Sequence, residues 1–269
     1  MKLGLFGFPV GHSRSPRLFA RLSRELGRPI AYAAVAAEPG TLAQVVEGAR
    51  AAGWRGANVT VPLKLEALGL AGRLTSAARA VGAVNVLRFD RVVVGHNTDG
   101  EGLRDALARA RVSARGRAAL VFGAGGAARA AGWALAKDGA RTVRFASRTL
   151  SRARKTAREL AALFPRTRFS AGAPARADVW VQATPLGMKG FADETPAPPS
   201  LPGPEAAVDL VYGRLTAFQR DAAARGARVS DGAPMLAFQA LRAWEFWDAP
   251  LGAHKRAALA ETLIEEIRR

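Results

Sequence analysis

The sequence predicts an α/β protein whose second half is a doubly wound parallel sheet. Two observations predict it. Between Ala118 and Ser230, short apolar runs of strand length alternate with longer stretches of helical spacing, the rhythm of parallel strands joined by crossovers. The run Ala118-Ala119-Leu120-Val121-Phe122 also passes through a glycine-rich turn into an alanine-rich stretch ending near Lys137. A continuous apolar strand followed at once by a helix is what a sheet buried on both faces requires. The length, 269 residues, allows two domains or one large one, and 49% hydrophobic with 23% charged residues fits an ordinary globular protein.

The first half divides as follows. Lys2 to Gly7 forms a strand that ends in Phe8-Pro9-Val10-Gly11-His12-Ser13-Arg14-Ser15-Pro16. Ser15 suits an N-cap and Pro16 the first helical position, and Leu18, Phe19, Leu22 and Leu26 share one helical face. Ser13 has no such structural reading; two hydroxyls beside a strand-to-helix turn can hold a carboxylate. Ala31 to Val35 is a second strand, and Thr41 to Ala52 a helix capped near Gly40 or Thr41. In Gly56-Ala57-Asn58-Val59-Thr60-Val61-Pro62-Leu63-Lys64, Asn58 and Thr60 alternate with valines, as in a strand with one polar face that Pro62 ends. Lys64 then lies just past a strand end, where open α/β sheets place chemistry, although a single lysine is also ordinary surface. Two strands, Ala83 to Phe89 and Val92 to Gly95, are joined by a tight turn at Asp90-Arg91. In His96-Asn97-Thr98-Asp99-Gly100, Asp99 also suits the cap of the helix carrying Leu103 and Leu107.

The glycine turn is Gly123-Ala124-Gly125-Gly126-Ala127-Ala128, a Gly-x-Gly-x-x-Ala pattern between strand and helix. Gly123 permits the tight turn, Gly125 lets a pyrophosphate approach the backbone, and Ala128 lets the helix pack closely on the strand. Free N–H groups and the helix dipole favour an anion there. This is the Rossmann dinucleotide-binding context. The next strand, Thr142 to Ala146, leads into Ser147-Arg148-Thr149 and Arg152. An acidic residue at this strand end would hold an NAD ribose; none is present, and Arg148 and Arg152 suit a 2′-phosphate, so the expected cofactor is NADP. Ala177 to Ala183 and Ala207 to Tyr212 are further strands, Phe191 to Pro204 is a surface loop, Arg228 to Ser230 is a last short strand, and helices from Pro234 to Trp247 and His254 to Ile267 close the chain.

With no cysteine, disulfides, zinc–thiolate sites and thiol catalysis are excluded. The three histidines are far apart, so no metal site is expected. The start of the chain is too broken by glycine and proline for a signal peptide, and no apolar run reaches membrane-span length, which makes a cytoplasmic location the expectation. The net charge of +18 raises nucleic acid or an anionic surface as partners. However, 34 of the 40 basic residues are arginines scattered through every segment, and no aromatic residues interleave with them as a stacking platform requires. A specific nucleic-acid role is therefore not expected.

Seven motifs, taken together and in order, resemble the shikimate dehydrogenase family: Pro9 to Pro16, Asn58 to Lys64, Gly82-Ala83-Val84-Asn85, Asn97 to Gly100, the glycine turn, Ser147-Arg148-Thr149, and Met235-Leu236-Ala237-Phe238-Gln239. The resemblance covers almost the whole chain. It implies an N-terminal α/β substrate domain (1–100, completed by 232–269) and a Rossmann-type NADP domain (101–231), with the last helices returning to the first domain. It implies that Ser13 and Ser15 bind the substrate carboxylate. Thr60, Asn85, Asp99 and Gln239 would bind the ring hydroxyls, with Tyr212 nearby, and Lys64 and Asp99 would be the catalytic pair. Gly123, Ala124, Gly125, Gly126 and Ala127 would line the pyrophosphate, and Ser147, Arg148, Thr149 and Arg152 the adenosine end. Leu210 and Gly232 complete the implied cofactor-binding set. The implied reaction is NADP-dependent reduction of 3-dehydroshikimate to shikimate in aromatic amino-acid biosynthesis, by a monomer or homodimer.

The chain departs from the family pattern in three places. Ser147 replaces the asparagine of Asn-Arg-Thr, Gln182 stands where asparagine is usual, and Gly213-Arg214 follow Tyr212 where Asn-Pro is common. A quinate/shikimate dehydrogenase of the same fold would favour NAD and an acidic residue near Ser147. A non-catalytic NADP-binding regulator would lose Lys64 or Asp99, and both are present.

Overall fold

The structure, a computed structural model, describes residues 1–11 and 13–269; His12 of the first motif lies outside the described residues. It has two compact units, one of residues 1–98, 236–267 and 269, the other of residues 99–235 and 268.

The first unit contains β1 (Lys2–Gly7), α1 (Ser15–Leu26), β2 (Ala31–Ala36), α2 (Leu42–Ala51), β3 (Gly56–Val59), α3 (Lys64–Leu70), β4 (Arg73–Leu74), α4 (Ser76–Val81), β5 (Val86–Phe89) and β6 (Val93–His96). Its sheet runs β2-β1-β3-β5-β6-β4. β1 is parallel to β2 and β3, and β5 is antiparallel to β3 and β6. Phe6, Leu42, Val46, Val59, Leu63 and Leu87 form a core beneath it.

Local chemistry alters several expected boundaries. Ser15 does not cap α1. It is the first helical residue, Arg14 holds the cap position without a side-chain bond, and the Ser13 hydroxyl accepts the Ser15 N–H at 3.2 Å. Thr41 holds the cap position of α2 as expected, but without a side-chain bond: its hydroxyl donates to the Glu38 carbonyl, while the Glu66 carboxylate, from α3, accepts the N–H groups of Gly40 and Leu42 at 3.0 and 3.2 Å. β3 stops at Val59, the Val61–Pro62 peptide is cis, and Lys64 opens a helix. The β5–β6 turn has three residues rather than two, since Phe89 pairs with Val93; Arg88 and Arg55 hold Asp90 at 2.7 and 3.2 Å.

The second unit contains α5 (Asp99–Arg109), β7 (Ala118–Phe122), α6 (Gly126–Lys137), β8 (Thr142–Ala146), α7 (Leu150–Ala161), β9 (Arg168–Ala171), β10 (Val179–Gln182), β11 (Ala206–Asp209), α8 (Ala217–Ala224) and β12 (Arg228–Ser230). All six strands are parallel, in the order β12-β11-β10-β7-β8-β9. This is the doubly wound order of a Rossmann sheet, with its switch point between β7 and β10. The loop expected on the surface from Phe191 to Pro204 is in part core. Ala197 and Leu201 are buried with Phe122, Trp180 and Phe218. No helix crosses between β10 and β11, so the loop itself covers that part of a sheet face that must be kept from water. Two helices, α9 (Ala233–Trp247) and α10 (Ala253–Arg268), end the chain. The Trp247 indole donates to the Leu87 carbonyl at 2.9 Å. It passes so close to Gly56 that a Cβ there would lie 2.4 Å from its nitrogen.

Phe218 is fully buried and packs on Phe122 and Trp180, with ring centroids 5.8 and 6.3 Å away. Phe218→Ala is expected to cost about 3–5 kcal/mol, the range for deleting a buried aromatic, read as a lowered urea midpoint.

Candidate active site

In the first unit the predicted residues gather where β3 and β5 begin or end. Thr60 follows β3, and its N–H donates to the Phe6 carbonyl at 2.9 Å. Lys64, half-buried, accepts the Val84 N–H on its backbone carbonyl at 3.0 Å. The next residue, Asn85, is buried and acts as a hub. Its backbone carbonyl accepts the Val59 N–H, and its own N–H donates to the His96 carbonyl. Its side-chain oxygen accepts the Thr98 N–H at 2.8 Å. Its side-chain nitrogen donates to the Thr98 hydroxyl at 3.0 Å and to the Gln239 carboxamide oxygen at 3.3 Å. Thr98 directly precedes Asp99, which is buried and opens α5.

Ser15 is buried and Ser13 half-buried. The Tyr32 O–H donates to the Asn58 side-chain oxygen at 2.8 Å. The Asn58 side-chain nitrogen donates in turn to the Asn85 carbonyl at 3.4 Å. Tyr32, Asn58, Asn85, Thr98 and Gln239 therefore belong to one hydrogen-bonded network. Tyr32, Asn58 and Thr98 are the members that sequence reasoning did not single out as site residues. The alternation around Asn58 was a signal for it; nothing in the sequence marked Tyr32.

In the second unit the carboxyl ends of the strands are level: Phe122 pairs with Ala146 and Gln182, and Gln182 with Asp209. Gly123 has φ +119°, and a Cβ on it would lie 2.9 Å from the Ala183 carbonyl oxygen, so the turn needs glycine. Gly125 caps α6 with no side-chain bond, is exposed, and has open space where a Cβ would stand. Ala124, Gly126 and Ala127 are half-buried beside it, while Ala128 is fully buried against the sheet. At the end of β8 the Ser147 hydroxyl accepts the Thr149 N–H at 3.3 Å. Thr149 caps α7 without a side-chain bond. Arg148 and Arg152 are exposed, and among the described residues neither has a carboxylate partner. An uncapped glycine-lined helix start and two unpaired guanidinium groups fit a phosphorylated dinucleotide.

Leu210 donates its N–H to the Gln182 carbonyl, and Gly232 donates to Val211, so both border the same sheet edge. Tyr212, half-buried, lies on the loop after β11. That loop is held by Asp209, a buried carboxylate accepting from Val211 N–H, the Thr216 hydroxyl and the Gln219 amide at 3.0, 2.5 and 3.1 Å. Burial pushes its carboxyl above the ordinary range, against the pull of those donors. Gln182, the departure from the family's asparagine, is fully buried; its amide donates to the Leu186 carbonyl at 2.9 Å and accepts the Thr184 N–H at 2.6 Å. The longer side chain thus organises the loop after β10. Among the described residues, no group of three or more His, Asp or Glu residues can hold a metal ion, and no helix is long and apolar enough to cross a membrane.

A doubly wound sheet with a glycine-lined helix start at its switch point, following an α/β unit with a polar network, defines a dinucleotide-dependent enzyme of two-domain α/β type. Residues 5–87 match the family model described as the shikimate dehydrogenase substrate binding domain. The chain is 43% identical over 269 residues to the NADP(+)-dependent shikimate dehydrogenase of Halobacterium salinarum, covering 97% of this chain and 98% of that one. It is 41% identical to that of Rubrobacter xylanophilus, covering 96% and 95%. Among solved structures, the shikimate 5-dehydrogenase of Thermus thermophilus in complex with NADP(H) and shikimate superposes with a TM-score of 0.85 at 33% identity, covering 99% of both chains. The chain belongs to the shikimate dehydrogenase family, with that family's N-terminal substrate domain and Rossmann-type NADP domain.

Beside the network, the His96 ring stacks on Phe246 at 4.6 Å and meets the Thr75 hydroxyl at 2.8 Å. Burial, then the charges of Arg88 and Arg242, push its pKa down to about 4. Because the unfolded chain takes up this proton near pH 6.5, the neutral ring supports the fold fully above that pH. The support is lost as pH falls from about 6.5 to about 4. Urea unfolding at pH 7, 5.5 and 4.5 is expected to show a steeper acid loss in the wild type than in His96→Gln.

Proposed function

We propose that this chain catalyses the reversible NADP-dependent reduction of 3-dehydroshikimate to shikimate, a step of aromatic amino-acid biosynthesis, with Lys64 and Asp99 as the catalytic pair. The carrying observation is the 43% identity to an NADP(+)-dependent shikimate dehydrogenase along 97% of the chain, in a sequence that has both residues. Residues 1–100 with 232–269 bind the substrate, and residues 101–231 bind NADP. Ser13 and Ser15 take the substrate carboxylate. Thr60, Asn85, Asp99 and Gln239 take the ring hydroxyls, with Tyr212 beside them. Gly123, Ala124, Gly125, Gly126 and Ala127 line the pyrophosphate with backbone N–H groups. Ser147, Arg148, Thr149 and Arg152 hold the adenosine 2′-phosphate end, and Leu210 and Gly232 border the rest of the cofactor.

When bound, the cofactor supplies the hydride. The protein's task is to place the ketone, stabilise the charge that develops on its oxygen, and move a proton. The Lys64 ammonium does both of the latter: it neutralises the oxygen as it becomes anionic and delivers the proton that makes the hydroxyl. Asp99 orients that ammonium and accepts a hydrogen bond from the adjacent substrate hydroxyl. Both are set by backbone. Lys64 is tied to Val84, and Thr98, the neighbour of Asp99, is tied to Asn85. The enzyme works in the cytoplasm as a monomer or homodimer, on small molecules rather than nucleic acid or membranes.

An absorbance assay crossing shikimate and quinate with NADP⁺ and NAD⁺ tests the reading. Turnover is expected with shikimate and NADP⁺; silence there, or a preference for quinate or NAD⁺, overturns it. In the same assay Lys64→Ala is expected to lower kcat by roughly 10²–10⁴ with NADP⁺ affinity unchanged. Unaltered turnover would take Lys64 out of the mechanism. Arg148→Ala is expected to raise the Kd of NADP⁺ roughly 10- to 150-fold, the value of one charge-assisted hydrogen bond, and to leave that of NAD⁺ nearly as it was.

A further inference from the structure

We infer that Tyr32 is a positioning residue of the substrate site, setting the Asn58 carboxamide in its working place without touching substrate. The inference rests on the proposed shikimate reaction and assigns a part of it to a residue outside the motifs.

Tyr32 lies in β2, two strands away from Asn58 in β3, with β1 between them. Its ring stacks almost parallel on Phe19, with centroids 4.3 Å apart. The ring is thereby held where its O–H meets Asn58. That O–H donates to the Asn58 side-chain oxygen at 2.8 Å. A carboxamide can flip end for end at little cost unless its oxygen and nitrogen face different partners. The phenol O–H is a donor that only the oxygen of Asn58 can accept, and the Asn85 carbonyl is an acceptor that only its nitrogen can serve. The orientation is therefore unique, and it connects Tyr32 to the carbonyl of the hub residue Asn85. Burial pushes the Tyr32 phenol up, well clear of neutral pH, so it remains a donor throughout the working range.

Without the phenol O–H, the ring packing survives but the Asn58 oxygen loses its donor. Asn58 then flips or shifts, and the part of the substrate site at Asn85 loosens while the nucleotide-binding unit is untouched. Steady-state kinetics on Tyr32→Phe in the full-length protein test this. The KM for shikimate is expected to rise roughly 5- to 30-fold, the effect of a lost buried hydrogen bond. The KM for NADP⁺ is expected to stay within about twofold and kcat within about threefold of wild type. Asn58→Ala is expected to reproduce the KM split, and Tyr32→Phe/Asn58→Ala to be no worse than Asn58→Ala alone, since one residue acts through the other.

An unchanged KM for shikimate in Tyr32→Phe overturns the inference. So does a rise in both KM values that tracks the Tm, or multiplicative effects in the double variant. A wild-type protein silent toward shikimate removes the underlying reaction, and with it the inference. That result shows in the wild type alone and is distinct from failure of the variant.

Discussion

The buried side chain of Asn85 is the constraint on which the first unit's chemistry depends. A carboxamide has two donor protons and an oxygen with two lone pairs, and leaving one unmade in a dry site costs about 1–3 kcal/mol. Here the oxygen is used by the Thr98 N–H and the nitrogen by the Thr98 hydroxyl and Gln239. The backbone of the same residue joins Val59 to His96. Segments 58–64, 83–86, 96–98 and the helix α9 therefore meet at one residue. A satisfied network of this kind has one arrangement and penalises all others.

The second unit follows a different logic. It fixes a backbone surface rather than a side-chain network. Parallel strands with level carboxyl ends present turns along one edge, and the turn after β7 is held by φ +119° at Gly123 and by the close approach of the Ala183 carbonyl. What remains exposed there is N–H groups, a helix start without a side-chain cap, and two guanidinium groups with no carboxylate partner among the described residues. In a chain where many arginines sit in ion pairs, such as Arg88 with Asp90 and Arg225 with Asp221, the unpaired state of Arg148 and Arg152 is informative. A carboxylate at this strand end would neutralise them and favour a ribose hydroxyl, and none stands there.

Most strands and long helices were legible because they are apolar runs or amphipathic repeats, signals carried by consecutive residues. The Rossmann turn was legible for the same reason: strand, glycines and helix adjoin. The segment 64–81 was not, because α3, β4 and α4 are short pieces with little periodicity of their own, kept in place by partners elsewhere, such as the Glu66 carboxylate on the start of α2. The loop between β10 and β11 carries the composition of a surface loop, yet Ala197 and Leu201 enter the core; two small or apolar residues among prolines are too sparse a pattern to announce burial. In the site, motif residues could be named one by one, but Gln239 reaches Asn85 across 154 positions, and no local pattern encodes that pairing. Tyr32 is the extreme case: a tyrosine in a strand, with its role conferred only by what stands two strands away.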